Sequence, residues 1–167
     1  MSVKTQGTEL FLADSTAQTP AMVKMEAPTG ITGLGGAADQ IDVTDLDVTT
    51  DRQYARGLGS PGQVSVPFIM KPTAASHKRL FELRASGETL QWMVCLSDGT
   101  TDPTYAAGTL TPPSGRTSIA FSAYIADVQL DIATNEVIRG TLTLQRSGAI
   151  TTTAVVSRRQ DQPMGTP

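Results

Sequence analysis

Between Asp39 and Met70 the chain reads DQIDVTDLDVTTDRQYARGLGSPGQVSVPFIM, an acidic alternating segment, a Gly-containing stretch and then a second alternating segment. In the last of these, Val64, Val66, Phe68 and Met70 share one face, with Ser65 and Pro67 opposite. A period of two marks a strand with one buried and one wet face. Pro67 has no N–H to donate, so this strand belongs at a sheet edge or leaves one side locally unpaired. In the acidic segment the parity changes, because Ile41 and Val43 share one face while Leu46 and Val48 take the other. An uninterrupted strand cannot do this, and a bulge near Thr44–Asp45 is expected.

Composition agrees with a strand-rich chain. The 167 residues suit one domain with a buried core. Hydrophobic residues at 39% and charged residues at 17% leave much of the chain to Thr, Ser, Gly and Pro, which favour strands and turns. Short strands are expected over 8–14 and 21–27, and further ones over LQWMVCL, TSIAFSAYIADVQLDI and the stretch from Asn135 to Arg146. The second of these changes parity too: Ile119, Phe121 and Ile125 form one set and Val128, Leu130 and Ile132 another. One helix is expected over about 74–86, capped by Thr73 and closed by Gly87, with His77, Leu80, Phe81 and Arg84 as its inward stripe. The expected fold is mainly β: a β-sandwich or partly open barrel of about seven or eight strands with that helix on its flank.

Enzymatic and ligand-binding classes find little support. The lone histidine, His77, sits on the inward stripe of the helix and is expected to be a packed structural residue rather than a base. Cys95 alternates opposite Leu90, Trp92, Val94 and Leu96 and is expected to be inert; as a single cysteine it fits a reducing compartment. Asp42, Asp45, Asp47 and Asp51 offer oxygens, but the central Gly and closing Glu of a calcium loop are missing. GITGLGG has neither the Lys-Ser/Thr of a phosphate loop nor a following helix. No catalytic residue, cofactor or metal is expected. A net charge of −3 gives no basic field for nucleic acid. No apolar run reaches the length of a signal peptide or a membrane span, so no membrane partner is expected.

What remains is assembly. TTDRQYARGLGSPGQ, residues 49–63, is expected to be a long loop carrying Arg52, Tyr54, Arg56 and Leu58, residue types that anchor interfaces. SDGTTDPTYAAGTLTPPSGR is long enough to be a second functional or assembly loop. Asp39, Asp42, Asp45 and Asp47 make an acidic strand, whereas Arg139, Arg146, Arg158 and Arg159 tilt the C-terminal part basic. Copies of the chain can therefore meet through opposite charges.

The order of these pieces resembles the tail tube proteins of long-tailed, non-contractile bacteriophages. The resemblance lies in IDVTDLDVTTDRQYARGLGSPGQVSVPF, then LFELRASGE, LQWMVCLSDG and FSAYIADVQL…NEVIRGTLTLQRSG, and covers about residues 7–155. It implies one tail-tube domain over 1–167, with a flexible N-terminal arm (1–7), the 49–63 stacking loop and a C-terminal arm (157–167). It further implies six-membered rings stacked into a tube that conducts DNA at ejection, with tape-measure, terminator and baseplate proteins as partners. Such a tube would assemble in the host cytoplasm and reside in the virion tail, without an appended immunoglobulin-like domain. By the same resemblance Asp39, Asp42, Asp45 and Asp47 face the lumen or a neighbour, as does the polar face of Arg139, Thr141, Thr143 and Gln145. Two alternatives stay open: an inner-tube subunit of a contractile tail or type VI-like system, and a monomeric β-sandwich binding module.

Overall fold

The structure, a computed structural model, describes residues 2–155. They form ten strands and one helix: β1 Glu9–Asp14, β2 Ala21–Lys24, β3 Ala38–Asp42, β4 Tyr54–Gly59, β5 Gln63–Ile69, α1 Ala75–Ser86, β6 Leu90–Cys95, β7 Thr104–Ala106, β8 Thr109–Thr111, β9 Ser118–Asp131 and β10 Arg139–Thr153. Six strands make one antiparallel sheet in the order β2-β1-β6-β9-β10-β5. The β3–β4 and β7–β8 pairs are separate two-stranded ribbons. The fold is mainly β with one helix, and its large sheet is open rather than closed into a barrel.

Alternation decides which face is buried. Leu10 and Leu12 of β1, Trp92 and Val94 of β6, Phe121 and Ile125 of β9, Leu142 and Leu144 of β10, and Val64, Val66 and Phe68 of β5 all point to one side. There they meet Leu80 and Leu83 of α1, with Ile31 and Leu34 of the β2–β3 connection packed alongside. Removing one such leucine to alanine costs about 2–5 kcal/mol. Trp92 also donates its Nε1–H to the Ala123 carbonyl at 3.2 Å. Among the described residues the opposite face is covered only at the β1–β6 end, where Phe11, Ala13, Met93 and Cys95 pack under Leu110 of the β7–β8 ribbon.

Pro67 lies where its chemistry requires. β5 is an edge strand, and the Pro67 carbonyl points outward to accept the Thr29 N–H at 2.8 Å, so the missing proline N–H takes nothing from the β10 ladder. The parity change in β9 is a bulge: Thr143 pairs with Asp127 and Leu144 with Ile125, leaving Ala126 as the extra residue. The change after Val43 has another cause. β3 ends at Asp42, and the chain turns there instead of bulging at Thr44–Asp45; the irregularity in the β3–β4 ladder lies between Ala38 and Gln40.

Further expectations need correction. The 49–63 stretch is not one long loop, because Tyr54–Gly59 is a strand paired with β3. The residue flanking the helix start is Ala74, with no side-chain cap, so Thr73 does not fill that role. Gly87 does close the helix in the left-handed region at φ 69°, its N–H bonded to the Leu83 carbonyl. The helix buries Ser76, His77, Leu80 and Leu83, so its inward face is turned toward Leu83 and away from Arg84. The stretch before Arg116 is no free loop: Ala107 and Gly108, both at positive φ, turn β7 into β8, and Leu110 seals the second cluster. Two hydrogen bonds reach the expected N-terminal arm. Ser97 Oγ donates to the Lys4 carbonyl, and Arg116 Nη2 donates to the Gly7 carbonyl at 2.8 Å. The C-terminal arm 157–167, with Arg158 and Arg159, lies outside the described residues.

Candidate assembly surface

The β3–β4 ribbon is held together at its tip by a side-chain clasp. Asp42 Oδ1 accepts from the Thr44 N–H at 3.0 Å and from Thr44 Oγ1 at 2.5 Å, and Thr44 Oγ1 in turn accepts the Gln53 N–H at 2.9 Å. This Asx turn explains the parity change. The bonds from Thr44 hold the Asp42 carboxyl below its ordinary value. Arg52 stands 4.0 Å from Asp42, a loose exposed pair.

Beyond this the ribbon has no core. From Ala37 to Ser60 no residue is buried. Ile41, Val43, Leu46, Tyr54 and Leu58 are all exposed, Leu58 at 86% and Leu46 fully. Tyr54 and Arg56 share one face of β4, opposite Asp42 and Gln40 in register, and Leu58 falls in the irregular step between Arg56 and Gly59. Arg52 lies in the turn below them. An isolated two-stranded ribbon is marginal in water. Exposed apolar surface of this kind is a candidate interaction site.

The expected acidic strand is divided. Asp39 and Asp42 lie on β3, whereas Asp45 and Asp47 lie in the turn after it. The polar strand face is intact. Arg139, Thr141, Thr143 and Gln145 of β10 stand in register with Ile69, Pro67, Ser65 and Gln63 of β5, and with Asp131, Gln129, Asp127 and Tyr124 of β9. It is the side of the sheet opposite the Leu142–Leu144 core, and the β7–β8 ribbon does not reach it.

His77 and Cys95 are packed groups. His77 is fully buried, its Nδ1 accepting the Lys71 N–H at 3.0 Å and its Nε2 placed 2.8 Å from the Glu26 carbonyl. Burial pushes the Cys95 thiol up to about 11, despite the Arg116 charge nearby.

Three charged anchors were not singled out from the sequence. Arg116, almost wholly buried, donates to the Leu96 carbonyl at 2.6 Å and to Glu9 Oε2 at 2.9 Å. Asp14 is clamped by Arg79 of α1, with Nε 2.6 Å from Oδ2 and Nη2 3.2 Å from Oδ1. Burial alone would raise the Asp14 carboxyl, but the bonds from Arg79 and Thr16 outweigh it and leave it below its ordinary value. Arg146 shares parity with Leu142 and Leu144 and is therefore turned inward, a signal the alternation did carry.

Against known proteins, the family model described as phage tail tube, TTP, lambda-like, matches residues 1–156. The chain belongs to this phage tail tube family. A relative, "Structural protein 3" of Pseudomonas phage PAJU2, is 32% identical over 151 residues, covering 87% of this chain and 90% of that protein. Solved structures share the fold at low identity. A chain of the SPP1 tail tube aligns with a TM-score of 0.65 at 12% identity, covering 90% of this chain and 78% of that one. One from the tail of an empty gene transfer agent particle, refined with C6 symmetry, gives 0.62 at 18%, covering 87% and 96%. One from the PVC sheath–tube complex, an extracellular contractile injection system, gives 0.63 at 16%, covering 92% and 93%. This tail tube protein is a structural component of a virion tail, and not an enzyme.

Proposed function

We propose that this tail tube protein self-associates into rings of six whose stacking builds a hollow, non-contractile tail tube, the conduit for DNA at ejection. The observation that carries this is the β3–β4 ribbon, which holds exposed Ile41, Leu46, Tyr54 and Leu58 with no buried residue of its own. The ribbon, with Arg52, Tyr54, Arg56 and Leu58, is the ring-to-ring contact. Its acidic residues Asp39, Asp42, Asp45 and Asp47 belong to that contact rather than to the lumen. The open sheet supports lateral joining: β2 is a four-residue edge, and uniting sheets between neighbours removes exposed edges. Six-fold symmetry is supported by the fold shared with the gene transfer agent tail.

The wet face of β5, β10 and β9 lines the lumen in this account. Thr141, Thr143 and Gln145 are neutral, and Arg139 stands opposite Asp131. A wall with little net positive charge does not hold phosphates and lets DNA slide. Assembly takes place in the host cytoplasm, with a tape-measure protein setting length and terminator and baseplate proteins closing the ends. The shared fold also includes a contractile system, so a sheath gene beside this one would favour the inner-tube alternative. Negative-stain electron microscopy of purified protein across a concentration series tests the proposal. Hollow tubes or six-membered rings are expected, and monomers alone at the highest concentration would count against it.

A further inference from the structure

At the base of the β3–β4 ribbon lies a cleft of about 460 Å³ whose walls include Arg56, Arg146, Gly36, Ser60, Ala149 and Ile150. Arg146 is 5% exposed. Its Nε donates to the Gly62 carbonyl at 3.3 Å and its Nη2 to the Gly35 carbonyl, while Nη1 has no partner among the described residues. The β2–β3 connection passes close above it: a Cβ on Gly36 would stand 2.8 Å from Nη2. Among the described residues no carboxylate comes within ion-pair distance of Arg146 or Arg56. The Nη1 group is not enclosed: Arg146 lines the open cleft, and a guanidinium there without a counter-charge favours an incoming anion.

The same ribbon carries the complementary charge at its other end. Its turn holds Asp45, Asp47 and Asp51, all exposed and none in an ion pair among the described residues. They lie beyond the last ladder pair, Asp42 with Tyr54, on the far side of it from the Gly59 base. Folding this turn back onto its own cleft would break the β3–β4 ladder. A second copy has no such obstacle.

We propose that the acidic turn of one subunit docks in the Arg56–Arg146 cleft of the next, an aspartate of the turn reaching Arg146 Nη1. The contact is head to tail, joining two different patches, and so propagates along an axis instead of closing a dimer. It rests on the tube assembly proposed above and names the partner surface the ribbon tip meets. Complementary charge also makes the contact sensitive to ionic strength.

Two charge-reversed proteins test this, with Arg146 left intact because it also holds the Gly35 and Gly62 carbonyls. One carries D45K, D47K and D51K; the other carries R56E. All four positions are exposed, so both proteins are expected to fold with unchanged thermal midpoints. Assembly is followed by sedimentation and electron microscopy. Each protein alone is expected to need at least about tenfold more protein to assemble than the wild type. An equimolar mixture, in which the intact acidic turn of one protein can meet the intact cleft of the other, is expected to recover part of that loss. Variants that assemble at the wild-type concentration, or a mixture no better than its components, would overturn the docking while leaving the tube proposal standing. A wild-type chain that never assembles would overturn both, and that outcome is read from the wild-type sample alone.

Discussion

Replacing Leu46 and Leu58 with serine separates folding from assembly. Both side chains lie on the β3–β4 ribbon, Leu58 at 86% exposure and Leu46 fully exposed, and neither belongs to either hydrophobic cluster. In the isolated subunit these changes remove almost no buried area, so stability should move by no more than about 0.5 kcal/mol. At an interface, fully burying one leucine is worth about 1.5–3 kcal/mol. Each 1.4 kcal/mol is about tenfold in an association constant, so losing one such contact should raise the critical concentration roughly 10- to 100-fold. The assay pairs urea unfolding of the dilute subunit with sedimentation of the assembled form. The expected result is an unchanged unfolding midpoint and strongly impaired assembly. A variant that assembles at the wild-type concentration would refute the argument that the ribbon lacks a cover of its own. So would a large loss of monomer stability, because it would mean these leucines are already packed.

Other substitutions probe the body of the domain. Arg79→Ala leaves the buried Asp14 carboxylate with only its bonds from Thr16 and Ala17, and should cost about 2–4 kcal/mol in a urea melt. The Asp14 carboxyl is held below its ordinary value, so its stabilisation is present above about pH 4 and is lost as pH falls through the lowered value. The wild-type thermal midpoint should therefore drop in acid more steeply than that of R79A. Gly33→Ala places a Cβ 2.0 Å from the Gln63 carbonyl oxygen at φ 87° and should cost about 2 kcal/mol or more, whereas Gly35→Ala, with open space around it, should cost little. Cys95, with its thiol raised to about 11 by burial, should resist a thiol reagent at pH 8 until denaturant is added. Rapid native modification would contradict the packing of Phe11, Met93 and Leu110 around it.

Strands with one buried face were legible because burial imposes a period of two. Val64, Val66 and Phe68, or Leu90, Trp92 and Val94, announce both strand and facing, and the break between Ile125 and Val128 marks the Ala126 bulge. The same logic failed after Val43, where nothing is buried and the apolar residues follow no face of this chain's own core. There Asp42 and Thr44 form a turn that resembles a parity change. Arg116 was illegible for another reason: most of its partners are main-chain carbonyls of Gly7, Cys95, Leu96 and Thr101, and a carbonyl has no letter in the sequence. Arg52, Tyr54, Arg56 and Leu58 were chosen by residue type, but the pairing of Tyr54–Gly59 with β3 became visible only in three dimensions.

The most direct test of the account is amide hydrogen exchange over residues 38–59, compared between the dilute subunit and the assembled protein. In the subunit these amides should exchange quickly, since the ribbon has no core to protect its ladder. On assembly they should slow by about a hundredfold or more, while amides of β6 and β9 stay protected in both states. Equal exchange across 38–59 in the two states would contradict the claim that this ribbon is where copies of the chain meet.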